Sequence, residues 1–144
     1  MSGTRKLVFV SSPYRGNVAR NVAVARAAAK LVFEAGHVPV VSHLYVTQVL
    51  DDEVPEDREA GSAAALELLA RCDEVWAFGD PSDGMRQELE EATRLQIPIM
   101  NFTPPPPADP CWRCEGTRVV STGGELPSFV PCPECARPMP RVVG

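Results

Sequence analysis

Two sets of residues in this sequence could do chemistry. The first is a pair of C-x2-C knuckles, Cys111 with Cys114 and Cys132 with Cys135, separated by 17 residues. Each knuckle puts two thiolates on one side of a tight turn, and two knuckles complete the tetrahedron that Zn2+ prefers. Two disulfides or four free thiols are the alternatives, and without a secretory signal disulfides are disfavoured. The second is Glu88, within GDPSDGMRQELEEA at residues 79–92. A helix period through this stretch puts Met85, Leu89, Ala92 and Gln96 on one stripe, and Glu88 falls inside it. The neighbouring charges point away and can pair with one another, Arg86 with Glu90 and Glu90 with Arg94. Glu88 has no such partner. A carboxylate on an inward face needs something specific to satisfy it, and the start of a helix favours its anionic form. The alternative is a surface glutamate at the rim of the stripe.

The elements that must position these residues follow an alternating pattern. Residues 6–11, KLVFVS, read as a buried strand, and SPYRGN at residues 12–17 reads as a turn-rich loop. A helix is predicted over residues 17–34, with Asn17 as N-cap, Gly36 as stop, and Val18, Val22, Ala25, Ala29 and Val32 as its apolar stripe. Further strands are predicted over residues 37–42, 74–78 and 97–102. Residues 43–50 read as a loop or short helix and residues 51–59 as an acidic exposed loop entering a helix over residues 60–71. Strands alternating with helices indicate parallel βαβ units and a three-layer α/β sheet. Ligands of such sheets bind beyond the carboxyl ends of the strands. The loops after the first and third strands lie there, and each leads into a helix N-terminus, which is an anion site. Arg15 adds a guanidinium suited to phosphate. Gly16 and Gly84 allow close backbone approach. Ordinary tight strand-to-helix loops are the plainer reading. His37 reads as structural. His43 follows the second strand and could line the pocket without a catalytic part. Cys72 reads as a small core residue.

Composition bounds the class. Hydrophobic residues are 44% and charged residues 23% of the 144, which suits a globular protein. No apolar run approaches the ~20 residues of a membrane helix, and no signal-peptide pattern follows Met1, so no membrane partner and a cytoplasmic location are expected. The net charge of −5 arises in residues 1–103, which carry ten basic and fifteen acidic residues. The tail carries four of each, so a nucleic-acid role is disfavoured and would have to come through a local patch on the cysteine-rich segment. TPPPPADP marks a composition break. Three parts are therefore expected: an α/β domain at residues 1–103, a Pro-rich linker at 104–110, and a zinc ribbon at 111–144, with residues 117–121 and 128–130 able to pair as a hairpin.

The motifs VFVSSPYRG, GHVPVVSHL, CDEVWAFG and PSDGMRQELEEA resemble the nucleoside 2-deoxyribosyltransferase superfamily, in particular a small branch of unknown function and the 2′-deoxynucleoside 5′-phosphate N-hydrolases. The resemblance covers roughly residues 6–102 and not the tail. It implies a flavodoxin-like fold, cleavage or transfer of an N-glycosidic bond in a deoxynucleoside or its 5′-monophosphate, no catalytic cofactor, and a homo-oligomer, a dimer or larger. Glu88 matches the nucleophilic glutamate of S-x-G-M-x-x-E. Ser82, Gly84 and Met85 fall in the phosphate- or sugar-binding loop. Ser12, Arg15 and Gly16, with Asn17 beside them, match the first-strand loop that contacts phosphate in the N-hydrolases. At the strand-one tyrosine this chain has Phe9, with Tyr14 as a substitute, and at the assisting aspartate it has Ala65, with Asp57 or Asp80 as replacements. A non-catalytic nucleotide-sensing module with a partner-binding ribbon is the rival expectation.

Elemental analysis of the purified chain should return one zinc per chain, lost on substitution of any of Cys111, Cys114, Cys132 and Cys135. Zinc-free protein with the four thiols mutually bridged would refute this assignment.

Overall fold

The computed structural model describes residues 4–105, 119–121 and 129–131. Strand β1 (Leu7–Ser11) is central to a four-stranded parallel sheet. It pairs on one side with β2 (Val38–Val40) and on the other with β3 (Glu74–Phe78), which in turn pairs with β4 (Ile99–Phe102). The order β2-β1-β3-β4 means that the chain leaves β1 in one direction and returns to it from the other. That reversal opens a crevice at the carboxyl ends of β1 and β3.

The apolar run of β1 is buried on both faces, as parallel strands are. Val8 and Val10 pack with Ala28, Val32, Trp76 and Phe78 beneath helix α1 (Val18–Glu34). Phe9 points the other way, to Ala65, Leu69, Val75 and Ala92 beneath α3 (Pro55–Ala70) and α4 (Asp83–Arg94). These are the three layers that the alternation implied. A short helix α2 (Ser42–Tyr45) and a 3-10 turn (Val46–Gln48) link β2 to the loop before α3. No helix of the described residues is long and apolar enough to cross a membrane.

Several expectations need correction. The buried face of α1 is Ala23, Val24, Ala25, Ala28 and Val32, whereas Val18 is 40% exposed and Val22 and Ala29 are only half-buried. Alanines let this helix approach the strands, where Trp76 and Phe78 fill the space. β2 stops at Val40 because Ser42 already opens α2, and α3 begins five residues early, on Pro55 at its first turn. Gln96 lies beyond the end of α4, exposed and at φ 59°, so it is not on the stripe. Arg86 and Arg94 pair with Asp83 and Glu91 rather than with Glu90. Both partners lie three residues back, one turn toward the helix N-terminus.

In the tail, β5 (Val119–Ser121) pairs antiparallel with β6 (Phe129–Pro131). Cys111, Cys114, Cys132 and Cys135, and linker residues 106–110, lie outside the described residues. The first linker prolines are inside them, and Pro104 covers Gly79, the residue that turns the chain out of β3. A Cβ on Gly79 would meet Pro104 Cγ at 2.9 Å, and its φ of 90° belongs to glycine. Gly79→Ala should therefore cost about 1–3 kcal/mol of unfolding free energy in denaturant titration, and an unchanged midpoint would contradict this packing.

Candidate active site

The β1/β3 crevice opens as a cavity of about 530 Å³. Three segments supply its wall: the loop after β1, the N-terminal turns of α4, and the stretch from α2 into α3. The loop after β1 is held in shape by Asn21, whose side-chain amide donates to the carbonyls of Tyr14 and Arg15 at 3.0 and 2.9 Å. α4 starts at Ser82, whose Oγ accepts from the Met85 amide at 3.3 Å.

Glu88 lines this cavity. Its Oε2 accepts a hydrogen bond of 2.5 Å from Ser11 Oγ, and Ser11 is fully buried at the end of β1. Burial pushes the Glu88 carboxyl up to about 7, and the Ser11 bond opposes that only in part. The sequence favoured an ionised Glu88 at a helix start. Glu88 is instead in the second turn of α4, past the reach of the terminal dipole, so desolvation wins. His43 also lines the wall, with Nε2 at 3.4 Å from Ser12 Oγ and its ring 5.7 Å from that of Tyr14. Burial lowers His43 to about 4, so the imidazole is neutral at pH 7.

Of the residues singled out in the sequence, the cavity brings together Ser12, Tyr14, Arg15, Ser82, Gly84, Met85 and Glu88. Nothing lies within 4 Å of a Cβ built on Gly84. Gly16, at φ 98°, lines a neighbouring shallow depression instead. Asn17 is outside the wall because its side chain caps α1, accepting from the Arg20 amide at 3.2 Å. Phe9 is core, with no access to the cavity. Ala65 and Asp57 reach the wall, whereas Asp80 does not line it. Arg15 is not a free guanidinium: its Nε donates to Asp52 Oδ2 at 3.0 Å. His37 accepts from the Lys6 amide at 3.3 Å and stands edge-on to Trp76, a structural place. Cys72 is buried, and its thiol donates to the Leu68 carbonyl. Among the described residues no cluster of three His, Cys, Asp or Glu is placed to hold a metal ion.

Sequence reasoning missed Ser11 and Asp52. Ser11 had a signal: it is two residues after Phe9, so strand alternation aims it at the layer that contains α4. Asp52 had none, since its partner is 37 positions away.

A family model described as "Domain of unknown function (DUF7768)" matches residues 6–102. No curated protein matches the chain. Among solved structures, a 2-deoxyribosyltransferase from Bacillus psychrosaccharolyticus is similar with a TM-score of 0.55 and 21% identity, over 67% of this chain and 72% of that one. A 2-deoxyribosyltransferase from Leishmania mexicana gives a TM-score of 0.48 and 17% identity, over 68% of this chain and 64% of that one. At 21% identity the first likeness is one of fold.

The raised Glu88 sets a pH dependence. A carboxyl harder to ionise folded than unfolded costs nothing when protonated in both states, and its cost grows as pH rises from 4.5 to about 7. Glu88→Gln should match the wild type in stability near pH 4 and exceed it above pH 7 by up to about 3 kcal/mol. Melting curves across this range check the sign, and a gap that narrows with rising pH would refute it.

Proposed function

We propose, for a chain that belongs to the DUF7768 family, that the cavity binds a deoxynucleoside or its 5′-monophosphate and that Glu88 cleaves the N-glycosidic bond. The observation that carries this is the place of Glu88: a half-buried carboxyl on the cavity wall, held by a single buried hydroxyl. Such a group is costly for the fold and is of use where a substrate meets it. The resemblance of S-x-G-M-x-x-E to the deoxyribosyltransferases supports the same role.

In this reading the ionised Glu88 oxygen attacks the anomeric carbon, and the C–N bond breaks with its electron pair going to the base. The leaving base takes a proton from water or from an acid on the wall, and a glycosyl ester remains on Glu88. Water or a second base then attacks the same carbon from the opposite face and restores the carboxylate, with net retention. Ser11 keeps one carboxylate oxygen fixed and leaves the other for attack. Ser82, Gly84 and Met85 border the place the sugar would take. Tyr14 and His43 put two neighbouring aromatic rings on the same wall, suited to a base. A homo-oligomer, a dimer or larger, remains part of the proposal from the family resemblance.

A second reading has its own observation. Ala65 lines the cavity where the resemblance implies an assisting aspartate. The domain would then bind the ligand without turnover, and the tail, with Zn2+ held structurally by Cys111, Cys114, Cys132 and Cys135, would contact a partner.

A base-release assay on the four deoxynucleosides and their monophosphates separates the two. Glu88→Gln keeps the shape and removes the nucleophile, so release should fall by about 10³-fold or more with folding intact. Wild-type release should rise with pH through about 7 as Glu88 ionises. Undiminished release by the Gln variant would remove Glu88 from the mechanism, and binding without release by the wild type would establish the second reading.

A further inference from the structure

The sequence offers a phosphate three places: Arg15 and the N-termini of α1 and α4. In the folded chain each is already engaged. Asp52 accepts from Arg15 Nε at 3.0 Å through Oδ2, and its Oδ1 stands 4.0 Å from Arg58 Nε. Arg58 Nε also donates to the Asp52 carbonyl at 3.2 Å. Asn17 takes the Arg20 amide at the head of α1. Ser82 takes the Met85 amide at the head of α4, and Asp83 adds a carboxylate to the same turn. The positive ends of both helices are thus partly answered by the chain's own side chains.

The charge balance of the wall points the same way. Among the described residues two guanidinium groups, Arg15 and Arg58, face three carboxyls, Asp52, Asp57 and Glu88, while the exposed Asp83 is answered by Arg86. With Glu88 protonated the two guanidiniums are just matched by Asp52 and Asp57, so the wall has no positive charge to spare, and with Glu88 ionised the balance is negative. A 5′-monophosphate brings a further charge of about −1.5 to −2 at pH 7.

We propose that Asp52 is the specificity-determining residue of this cavity: by holding Arg15 and Arg58 it selects unphosphorylated nucleosides over their 5′-monophosphates. The inference rests on reading the cavity as a deoxynucleoside site. The Arg15–Asp52 pair is weak by itself, since Arg15 is 57% and Asp52 28% exposed. Its effect comes from what a phosphate would have to do. Drawing Arg15 away leaves the Asp52 carboxylate beside a dianion with only Arg58, 4.0 Å away, to answer it, so the wrong ligand is rejected by repulsion as much as by lack of a partner. An uncharged sugar 5′-hydroxyl can accept from a guanidinium or donate to Asp52 with the pair intact.

Calorimetric titration of the full chain with each of the four 2′-deoxynucleosides, their 5′-monophosphates and 2-deoxyribose 5-phosphate tests this. Wild type should bind a nucleoside about tenfold or more tightly than its monophosphate, and Asp52→Asn should tighten the monophosphate by a similar factor, bringing the ratio of the two affinities close to one. Adding Arg15→Gln to Asp52→Asn should undo the gain, because the guanidinium is what Asp52 withholds. Asp52→Ala, which also frees both arginines, should behave as Asp52→Asn does. Monophosphate bound by the wild type as tightly as the nucleoside, or an unchanged ratio in both Asp52 variants, overturns the inference. If no nucleoside or monophosphate binds any form, the nucleoside reading fails by itself. Asp52 is then judged on 2-deoxyribose 5-phosphate alone: a gain on freeing the arginines upholds its role, and no gain overturns it.

Discussion

A carboxyl that the fold holds half-buried, answered by one hydroxyl, is the constraint on which the cavity depends. Glu88 cannot leave this position alone. Met85 lies three residues before it and Ala92 four after, both buried on the same face of α4. Turning the helix to free the carboxyl would expose those two residues and open the layer beneath Phe9 and Val75. The apolar contacts that hold α4 on the sheet therefore also hold Glu88 inward, against its own preference for water. Ser11 is equally fixed, because β1 is paired on both sides and buried on both faces.

The wall is graded in charge from floor to rim. Deep in the cavity, burial keeps His43 neutral down to about pH 4 and keeps the Glu88 proton on up to about pH 7. Between those limits the inner wall is largely uncharged, through two opposite resistances, one to gaining a proton and one to losing it. Toward the rim, Arg15, Asp52 and Arg58 are paired and wetter. A ligand entering this cavity exchanges a rim of paired, solvated charge for an inner wall of mostly neutral polar groups.

Much of this was legible in the sequence, and the failures have physical reasons. The β1 and β3 runs, the α4 start at Ser82 and the inward place of Glu88 are all set by neighbours a few residues apart, which is the range over which periodicity and caps speak. The placement of the loops after β1 and β3 followed from the parallel pattern alone. What stayed hidden depended on contacts across the fold. Which face of α1 is buried was decided by Trp76 and Phe78, far along the chain. Arg15 looked free because Asp52 sits in a stretch that reads only as acidic and solvated. Asn17 was correctly seen as a cap, and that same role takes it out of the cavity. The ionisation of Glu88 turned on depth of burial, which a helical wheel does not give.

The Ser11–Glu88 bond joins residues 77 positions apart. On a ribosome the hydroxyl is made long before the carboxylate, and between them come α1, β2, α3 and β3. No partial chain that lacks α4 can hold the pair, and closing so long a loop must wait until the sheet between has formed. Glu88 is thus born solvated and ordinary, an acid of common strength on a nascent helix. It acquires its altered chemistry only when α4 docks on the sheet, so that during synthesis the cavity wall is completed late, with only β4 of the main sheet still to follow.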